Sequence, residues 1–403
     1  MLGQPHKDKN GQWERGLIIG IAWDHRRCWG PLDASIAPYR EQAGEDVRWD
    51  RRSLYSFGDG DLAGFASKYD LVIFDHPFVG DARTQGWLLD LGPLLSLQDK
   101  ALFERDAVGA SWRSYASEGG IWGLPLDSAA QTGAWRADLL QQSGFAVPRT
   151  FEDVIALGER GAAKGIAVGW PCVPTDLMCT LVSVAASMGL DPGHRGSEFL
   201  SGAEADGVLA QLRALARVAH PKSKEWNPIR CLDHMAANDD VAYVPYLFNY
   251  VNYSTGDLAR PITFGAAPTI NEGLAARTLL GGAGIGISAS SLNPRAAFAY
   301  AMYLCSPAYQ SGDYVTFGGQ PGSRTAWQSE RCNQLTRGFF RNTLPVLDNA
   351  YLRPTHPGFV PFFHNASLRL AAVIHEDAPA AQFVDWLNAS YDDVRQRSIG
   401  GAR

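Results

Sequence analysis

Three aspartates are candidates for chemistry, and two of them stand where buried strands are predicted to end. Asp24 follows the apolar run of residues 17–23, Asp75 follows the run of residues 69–74, and Asp127 follows a Leu-Pro-Leu segment. In an open α/β sheet, ligands bind in the crevice outside the carboxyl ends of the strands. These carboxylates could therefore accept hydrogen bonds from ligand hydroxyls, or act as general acid and base. Helix capping and loop hydrogen bonding are the competing interpretation for each aspartate.

The nine histidines show no metal-ligand spacing. His25, His76 and His234 each follow an aspartate, and adjacent residues on a strand point apart, so such pairs are poor chelates. The sequence therefore predicts no metal site.

Common enzyme signatures are missing from the sequence. It contains no GxxxxGK[ST] phosphate loop, no HExxH, no GxSxG and no CxxC pair. Residues 284–289 match the loose form of the dinucleotide fingerprint. Their glycines lie within a predicted strand, however, and not at a strand-to-helix turn where the motif has meaning. The sequence predicts no cofactor.

Composition limits the class of protein. The chain has 403 residues, 46% of them hydrophobic, which suggests two or three full-sized domains. A net charge of −6 gives no basic field for nucleic acid, and no apolar run is long enough to span a bilayer. The six cysteines are scattered, and we expect most of them to be buried as small hydrophobic residues. Twelve tryptophans are enough to provide stacking surfaces as well as core.

The amino-terminal sixteen residues are polar and contain no apolar segment typical of a secretory signal. Two interpretations stay open. Either the start was cut from a longer precursor, or Met1 is the native start and the protein stays in the cytoplasm.

The elements that must position these residues alternate between strand and helix. We predict strands at 17–23, 47–49 and 69–74, with helices at 31–43 and 61–68 between them. This order indicates a parallel sheet with right-handed crossovers. Thr150 and Asp153 form an acidic variant of the capping box and predict a helix start. Further strands are predicted at 166–170, 240–246, 262–266 and 281–288, and further helices at 106–117, 136–143, 177–188, 203–219, 326–337, 365–376 and 379–397.

Four stretches in this order resemble the family 1 extracellular solute-binding proteins, the sugar-binding relatives of maltose-binding protein that serve ABC transporters. The resemblance covers residues from about 17 to about 395. It is carried by residues 67–77, which end in Phe74-Asp75-His76-Pro77; by Gly119-Gly120-Ile121-Trp122-Gly123-Leu124-Pro125-Leu126-Asp127 with 135–140 and 148–153; by residues 280–288 with Asn293-Pro294; and by Gly318-Gly319-Gln320-Pro321-Gly322-Ser323-Arg324.

The resemblance implies an α/β, periplasmic-binding-protein-like fold of type II, with two α/β lobes joined by a three-segment hinge and a ligand cleft between them. The amino-terminal lobe would hold residues 17–124 and 279–318, and the carboxy-terminal lobe residues 127–276 and 323–403. Hinges need only a few residues that absorb backbone rotation, and proline and glycine lie at each predicted crossing.

The resemblance also implies a set of ligand-binding residues. Aromatic faces would stack on sugar C–H surfaces, while carboxylates, amides and arginine would fix hydroxyls or an acidic group. The residues are Trp23, Asp24, Asp75, His76, Asp127, Trp170, Asp176, Trp226, Tyr246, Asn249, Tyr250, Gly319, Gln320 and Arg324. Core packing is the competing interpretation for each of them.

The function that the resemblance implies is capture of a sugar, sugar derivative or sugar acid and its delivery to an ABC transporter permease. Such a protein would be a monomer, periplasmic or tethered outside the membrane. The alternative is a cytoplasmic paralogue recruited as an enzyme or metabolite sensor for a sugar-like or carboxylate substrate. Its acid–base candidates would then be Asp75, His76 and Asp127.

Overall fold

The computed structural model describes residues 16–54, 62–256 and 258–400. Some residues discussed in the sequence analysis lie outside the described residues. They are residue 61, which begins the helix predicted at 61–68, the polar residues 1–15 and the terminal residues 401–403. The chain divides into two compact units, the first Met1–Ser128 with Gly282–Cys332, and the second Ala129–Gly281 with Asn333–Arg403.

Strands and helices alternate along the chain, as the sequence predicts for an α/β protein. The strands are β1 (Leu17–Trp23), β2 (Asp46–Arg52), β3 (Leu71–Phe74), β4 (Ala116–Ser117), β5 (Gly120–Ile121), β6 (Leu124–Trp135), β7 (Ala167–Val168), β8 (Val241–Phe248), β9 (Thr263–Gly265) and β10 (Leu280–Ile287). The helices are α1 (Arg26–Ala43), α2 (Leu62–Ala66), α3 (Val79–Thr84), α4 (Leu97–Asp106), α5 (Ser111–Ser114), α6 (Ala137–Ser143), α7 (Phe151–Gly161), α8 (Pro174–Ser187), α9 (Gly202–Val218), α10 (Pro228–Ala237), α11 (Pro294–Leu304), α12 (Pro307–Tyr309), α13 (Arg324–Gln328), α14 (Glu330–Leu335), α15 (Phe339–Asp348), α16 (Phe359–His375) and α17 (Ala380–Gly400).

The sheet of the first unit has the strand order β2-β1-β3-β10. The first three strands are parallel, and β10 runs antiparallel to β3. The runs Leu17–Trp23 and Leu71–Phe74 are nearly continuous in apolar residues because helices cover both faces of such a sheet. The predicted parallel sheet is therefore confirmed, and its carboxyl edge presents the ends of three strands together.

The second unit is built around β8. Strand β7 pairs with β8 in parallel, and β6 pairs with β8 and with β9 in the antiparallel direction. Helices α7, α8, α9, α16 and α17 contribute to its core. The predicted capping box is present at α7, where Thr150 Oγ1 accepts from the Asp153 N–H and Asp153 Oδ2 accepts from the Thr150 N–H.

The third passage of the chain between the units lies at Cys332–Asn333, beyond the predicted loop at 318–322. Residues 323–332 belong with the first unit because side chains fix them there. The Thr325 N–H donates to Asp106 Oδ1 at 3.0 Å, and Trp327 Nε1 donates to the Pro321 carbonyl at 2.7 Å.

All six cysteines are buried, as expected. Burial raises the pKa of the Cys28, Cys172, Cys231 and Cys305 thiols, so they stay protonated near neutral pH. Among the described residues, no helix combines the length and apolar character needed to cross a bilayer.

Gly282 lies where β10 passes close to β6, and only glycine fits there. Its φ is +111°, and a Cβ on it would lie 2.4 Å from the Asp127 carbonyl oxygen. Both the backbone conformation and the close approach therefore exclude a side chain.

We expect Gly282→Ala to lower the free energy of unfolding by at least about 2 kcal/mol, because backbone has to move to admit the methyl group. Urea unfolding measures the change. Gly202→Ala is the matched control, since nothing lies within 4 Å of the added carbon in the first turn of α9. Equal stability of the two variants would contradict the close approach.

Candidate functional site

The carboxyl edge of the first unit's sheet gathers polar and aromatic residues. Trp23 ends β1 opposite Arg52 at the end of β2, and the Asp24 N–H donates to the Arg52 carbonyl at 2.7 Å. Asp75 and His76 follow β3 directly. The parallel order of the three strands thus brings five residues to one edge, four of them predicted from the sequence and the fifth, Arg52, not.

Asp75 and His76 form a local pair. Asp75 Oδ1 accepts from the His76 backbone N–H at 2.8 Å, which caps the short 3-10 turn His76–Phe78. The same oxygen lies 3.1 Å from His76 Nδ1. The His76 side chain is only 1% exposed and that of Asp75 is 16% exposed. The aspartate therefore presents more of its surface to solvent at this edge than the histidine does.

Asp127 is a structural ion-pair partner within the first unit. Its carboxylate accepts from Arg27 Nε at 2.8 Å and from Arg27 Nη2, and both side chains are almost completely buried. Burial raises the pKa of Asp127, and the Arg27 guanidinium opposes that shift. Both carboxylate oxygens of Asp127 bind Arg27. The ion pair gives this aspartate a structural role, and its role as a ligand or acid–base group stays a prediction.

The third predicted hinge loop is held by hydrogen bonds within the first unit. Gln320 is fully buried; its Nε2 donates to the Ser128 carbonyl at 2.7 Å, and its own carbonyl accepts from the Ser128 N–H. Gly319 lies against the Tyr314 ring, 2.3 Å from where a Cβ would sit. Arg324 begins α13 and is half-buried. The side chain of Gln320 therefore fastens the loop to β6.

The predicted site residues of the second unit are mostly interior. Trp170 is fully buried and its Nε1 donates to Thr180 Oγ1 at 3.2 Å. Asp176 lies in the first turn of α8 and is 8% exposed. Trp226 is 5% exposed and stacks on the His220 ring, with centroids 5.0 Å apart. Both tryptophans thus pack against interior neighbours, and their stacking on a ligand stays a prediction.

The end of β8 supplies the remaining predicted residues. Tyr246 is fully buried, Tyr250 is 5% exposed, and Asn249 Oδ1 accepts from the Ala130 N–H at 3.3 Å. Among the described residues, no group hydrogen-bonds to the hydroxyl of Tyr246. Burial raises the pKa of this hydroxyl, so it stays a neutral donor. A buried hydroxyl normally has a hydrogen-bond partner, so Tyr246, like Tyr243 on the same strand, is a candidate for contact with a polar ligand.

Sequence reasoning missed two residues at the first unit's edge. His25 caps α1 by accepting from the Arg27 N–H at 3.1 Å. Arg52 is 7% exposed, donates to the Ile73 carbonyl at 2.6 Å and lies 4.4 Å from the centre of the Phe65 ring. Burial lowers the pKa of Arg52 to about 10. Their position at the ends of β1 and β2 was the available signal, since parallel strands end at one edge.

Comparison with known proteins places the chain in a family. Residues 53–311 match the family model described as bacterial extracellular solute-binding protein. Because the match covers more than half of the chain, the chain belongs to this family. No curated protein sequence matches it.

Solved structures agree with this fold. Maltose-bound MalE3 of T. maritima has a TM-score of 0.81 at 17% identity, with 94% of this chain and 99% of that chain covered. An ABC transporter solute-binding protein from Agrobacterium radiobacter K84 in complex with ribitol has a TM-score of 0.75 at 16% identity, covering 94% and 98%. A third structure, a solute-binding protein from Thermotoga lettingae TMO bound with α-D-tagatose, has a TM-score of 0.76 at 15% identity. The match covers 94% of this chain and 99% of that chain. The predicted periplasmic-binding-protein-like α/β fold is confirmed.

The His25 cap generates a prediction about pH. Burial, and secondly the charge of Arg27, lower the pKa of His25 to about 4 from an ordinary value of 6.5. Between these two pKa values the unfolded chain binds a proton at His25 and the folded chain does not. The free energy of unfolding therefore decreases as the pH falls from about 6.5 towards 4. We expect a loss of about 2 kcal/mol between pH 7 and pH 5 from this residue.

Urea unfolding at pH 7 and pH 5 measures this loss. His25→Asn is the matched variant, since asparagine caps helices well and does not titrate. Its stability should fall by about 2 kcal/mol less than that of the wild type over this range. An identical pH dependence of the two proteins would show that His25 is not held neutral.

Replacing Asp127 tests its structural role. Asp127→Asn leaves the Arg27 charge buried without a counter-charge, and we expect a loss of about 3 kcal/mol in unfolding free energy. The double variant Arg27→Met/Asp127→Leu should recover much of that loss, because no buried charge is left. Unchanged stability of Asp127→Asn, together with weaker ligand binding, would instead make Asp127 a ligand residue.

Proposed function

We propose that this protein captures a sugar, polyol or sugar derivative and delivers it to an ABC transporter permease. The observation that carries the proposal is the family match over residues 53–311, which includes Asp75, His76, Asn249 and Tyr246. The three solved structures above support the ligand class, because they are described as bound to maltose, ribitol and α-D-tagatose.

The first unit's edge offers chemistry that suits hydroxyl-rich ligands. Asp24 is exposed and Asp75 is partly exposed, and carboxylates accept hydrogen bonds from hydroxyls strongly. The guanidinium of Arg51 lies within 4.0 Å of Asp24 and adds donors for a hydroxyl or for the carboxylate of a sugar acid. A small number of placed polar groups of this kind fixes ligand orientation in binding sites.

The partners and location follow from the same proposal. An extracellular solute-binding protein acts outside the cytoplasmic membrane, so we propose a periplasmic or membrane-tethered location and a permease partner. We further propose that the protein is a monomer and binds no nucleic acid, which its net charge of −6 supports. The alternative as an enzyme would rest on Asp75 and His76, because the third acid–base candidate, Asp127, is bound by Arg27.

Thermal shift with maltose, ribitol, D-tagatose, mannitol and sugar acids tests the ligand class. A ligand present at a hundred times its Kd should stabilise the protein by about 2.7 kcal/mol. Chromatography should then return the ligand unchanged. Turnover of the ligand, or a panel in which only non-carbohydrate compounds raise the Tm, would contradict the proposal.

Variants then locate the site by isothermal titration calorimetry. Asp75→Asn keeps an oxygen for the His76 N–H and so keeps the cap, while it removes the charge that binds hydroxyls; we expect at least a tenfold rise in Kd. Tyr246→Phe should weaken binding by a factor of about ten, the value of one hydrogen bond. Glu41→Gln, on the exposed surface of α1, is the matched control and should leave the Kd unchanged.

A further inference from the structure

We propose that His220, His234 and Asp240 form a binding site for a divalent transition-metal ion, with Zn²⁺ as its natural probe. The site lies within the second unit and is independent of the proposed carbohydrate function. Two imidazole nitrogens and one carboxylate oxygen are donors that Zn²⁺, Ni²⁺ and Cu²⁺ prefer and that Mg²⁺ does not.

The three donors lie at distances suited to one ion. Their ligand atoms all lie within 4.8 Å of one another. His234 Nε2 is 2.7 Å from Asp240 Oδ1, and His220 Nε2 is 3.5 Å from Asp240 Oδ2. Two donors bound at about 2.05 Å to a tetrahedral ion are about 3.3 Å apart. Small side-chain rotations therefore reach the coordination geometry.

Backbone structure holds the three residues in place. The His220 N–H donates to the Val168 carbonyl at 2.7 Å, at the end of β7. Asp240 directly precedes β8, and its carbonyl accepts from the Ala167 N–H at 2.7 Å. His234 lies in the last turn of α10, where the helix dipole favours a cation.

Trp226 fixes the orientation of both imidazoles. Its ring stacks on His220 with an interplanar angle of 9° and lies 4.7 Å from the centre of the His234 ring. The two histidine side chains are 15% and 13% exposed, whereas Asp240 is 46% exposed. The rings are thus held by packing, and the carboxylate side stays open to solvent for the ion and for a bound water as fourth ligand.

Hydrogen bonds at the Nδ1 atoms of His220 and His234 indicate which nitrogen of each ring carries the proton. His220 Nδ1 accepts from the Lys222 N–H at 3.2 Å, and His234 Nδ1 lies 3.3 Å from Asn238 Nδ2. Each neutral ring therefore carries its proton on Nε2, facing Asp240. When the ion binds both Nε2 atoms, each ring proton moves to Nδ1. The Lys222 N–H then gives up its hydrogen bond, and no net proton is released by a neutral ring.

The cluster has no signature in the sequence, because its members are not adjacent. Asp240 is six residues beyond His234, and His220 caps the separate 3-10 turn Pro221–Glu225. The Asp233-His234 pair is a poor chelate, as the sequence indicates. In the structure Asp233 instead accepts from the Tyr253 hydroxyl at 2.6 Å.

Calorimetry with the full chain, free of any affinity tag and stripped with EDTA, tests the proposal. ZnCl₂ and NiCl₂ should each bind with one ion per chain and a Kd of micromolar or below, and MgCl₂ should give no heat of binding. His234→Gln and Asp240→Asn should each raise the Zn²⁺ Kd at least tenfold. His194→Gln and Asp233→Asn are the matched controls, since neither residue belongs to the cluster, and they should leave the Kd unchanged.

A fluorescence measurement separates metal binding from a structural role. Ni²⁺ bound beside Trp226 should quench its emission, and Trp226→Phe should remove that quenching while one ion per chain still binds. If His234→Gln fails to fold, Asp240→Asn alone decides the question, because its side chain is half exposed. The absence of stoichiometric Zn²⁺ binding, or a Kd equal in the wild type and the folded cluster variants, would overturn the proposal.

Discussion

The buried ion pair between Arg27 and Asp127 is the interaction on which the first unit's functional edge depends. Arg27 is in the first turn of α1, directly after β1, and Asp127 is in β6. Two charges removed from water are tolerated only when they satisfy each other. The pair therefore fixes where α1 begins and how β6 passes the end of the sheet.

Contacts next to the Arg27–Asp127 pair join further segments of the first unit to β6. The Asp127 carbonyl faces Gly282 on β10, and the next residue, Ser128, exchanges hydrogen bonds with Gln320. Three segments far apart in sequence thus meet at one short stretch of β6. In this framework the charges of Arg27 and Asp127 and the backbone groups of Ser128 are paired.

The sheet could be predicted from sequence because its signal is local. The runs at 17–23 and 71–74 are apolar throughout, and the capping box at Thr150 has a three-residue spacing that needs no tertiary information. The first helix was predicted to begin at residue 31, whereas α1 begins at Arg26. Pro31 resembles a first-turn proline, and the residue that caps α1, His25, is an uncommon capping residue. A prolyl residue inside a helix is tolerated here by surrounding packing, which sequence does not reveal.

The candidate site was harder to predict than the fold, because the contacts of its residues depend on tertiary packing and not on local sequence. The ion pair of Asp127 could not be predicted, because Arg27 lies a hundred residues earlier in the chain. The burial of Trp170 and Trp226 likewise depends on neighbours that are distant in sequence. The places of Asp24 and Asp75 at the sheet's carboxyl edge were predictable, since that position depends only on strand order.

Burial raises the pKa of four thiols, those of Cys28, Cys172, Cys231 and Cys305. Disulfide chemistry requires a thiolate that an oxidant can reach. In the folded protein these four side chains offer neither the charge nor the access, so we expect them to stay reduced in an oxidising environment.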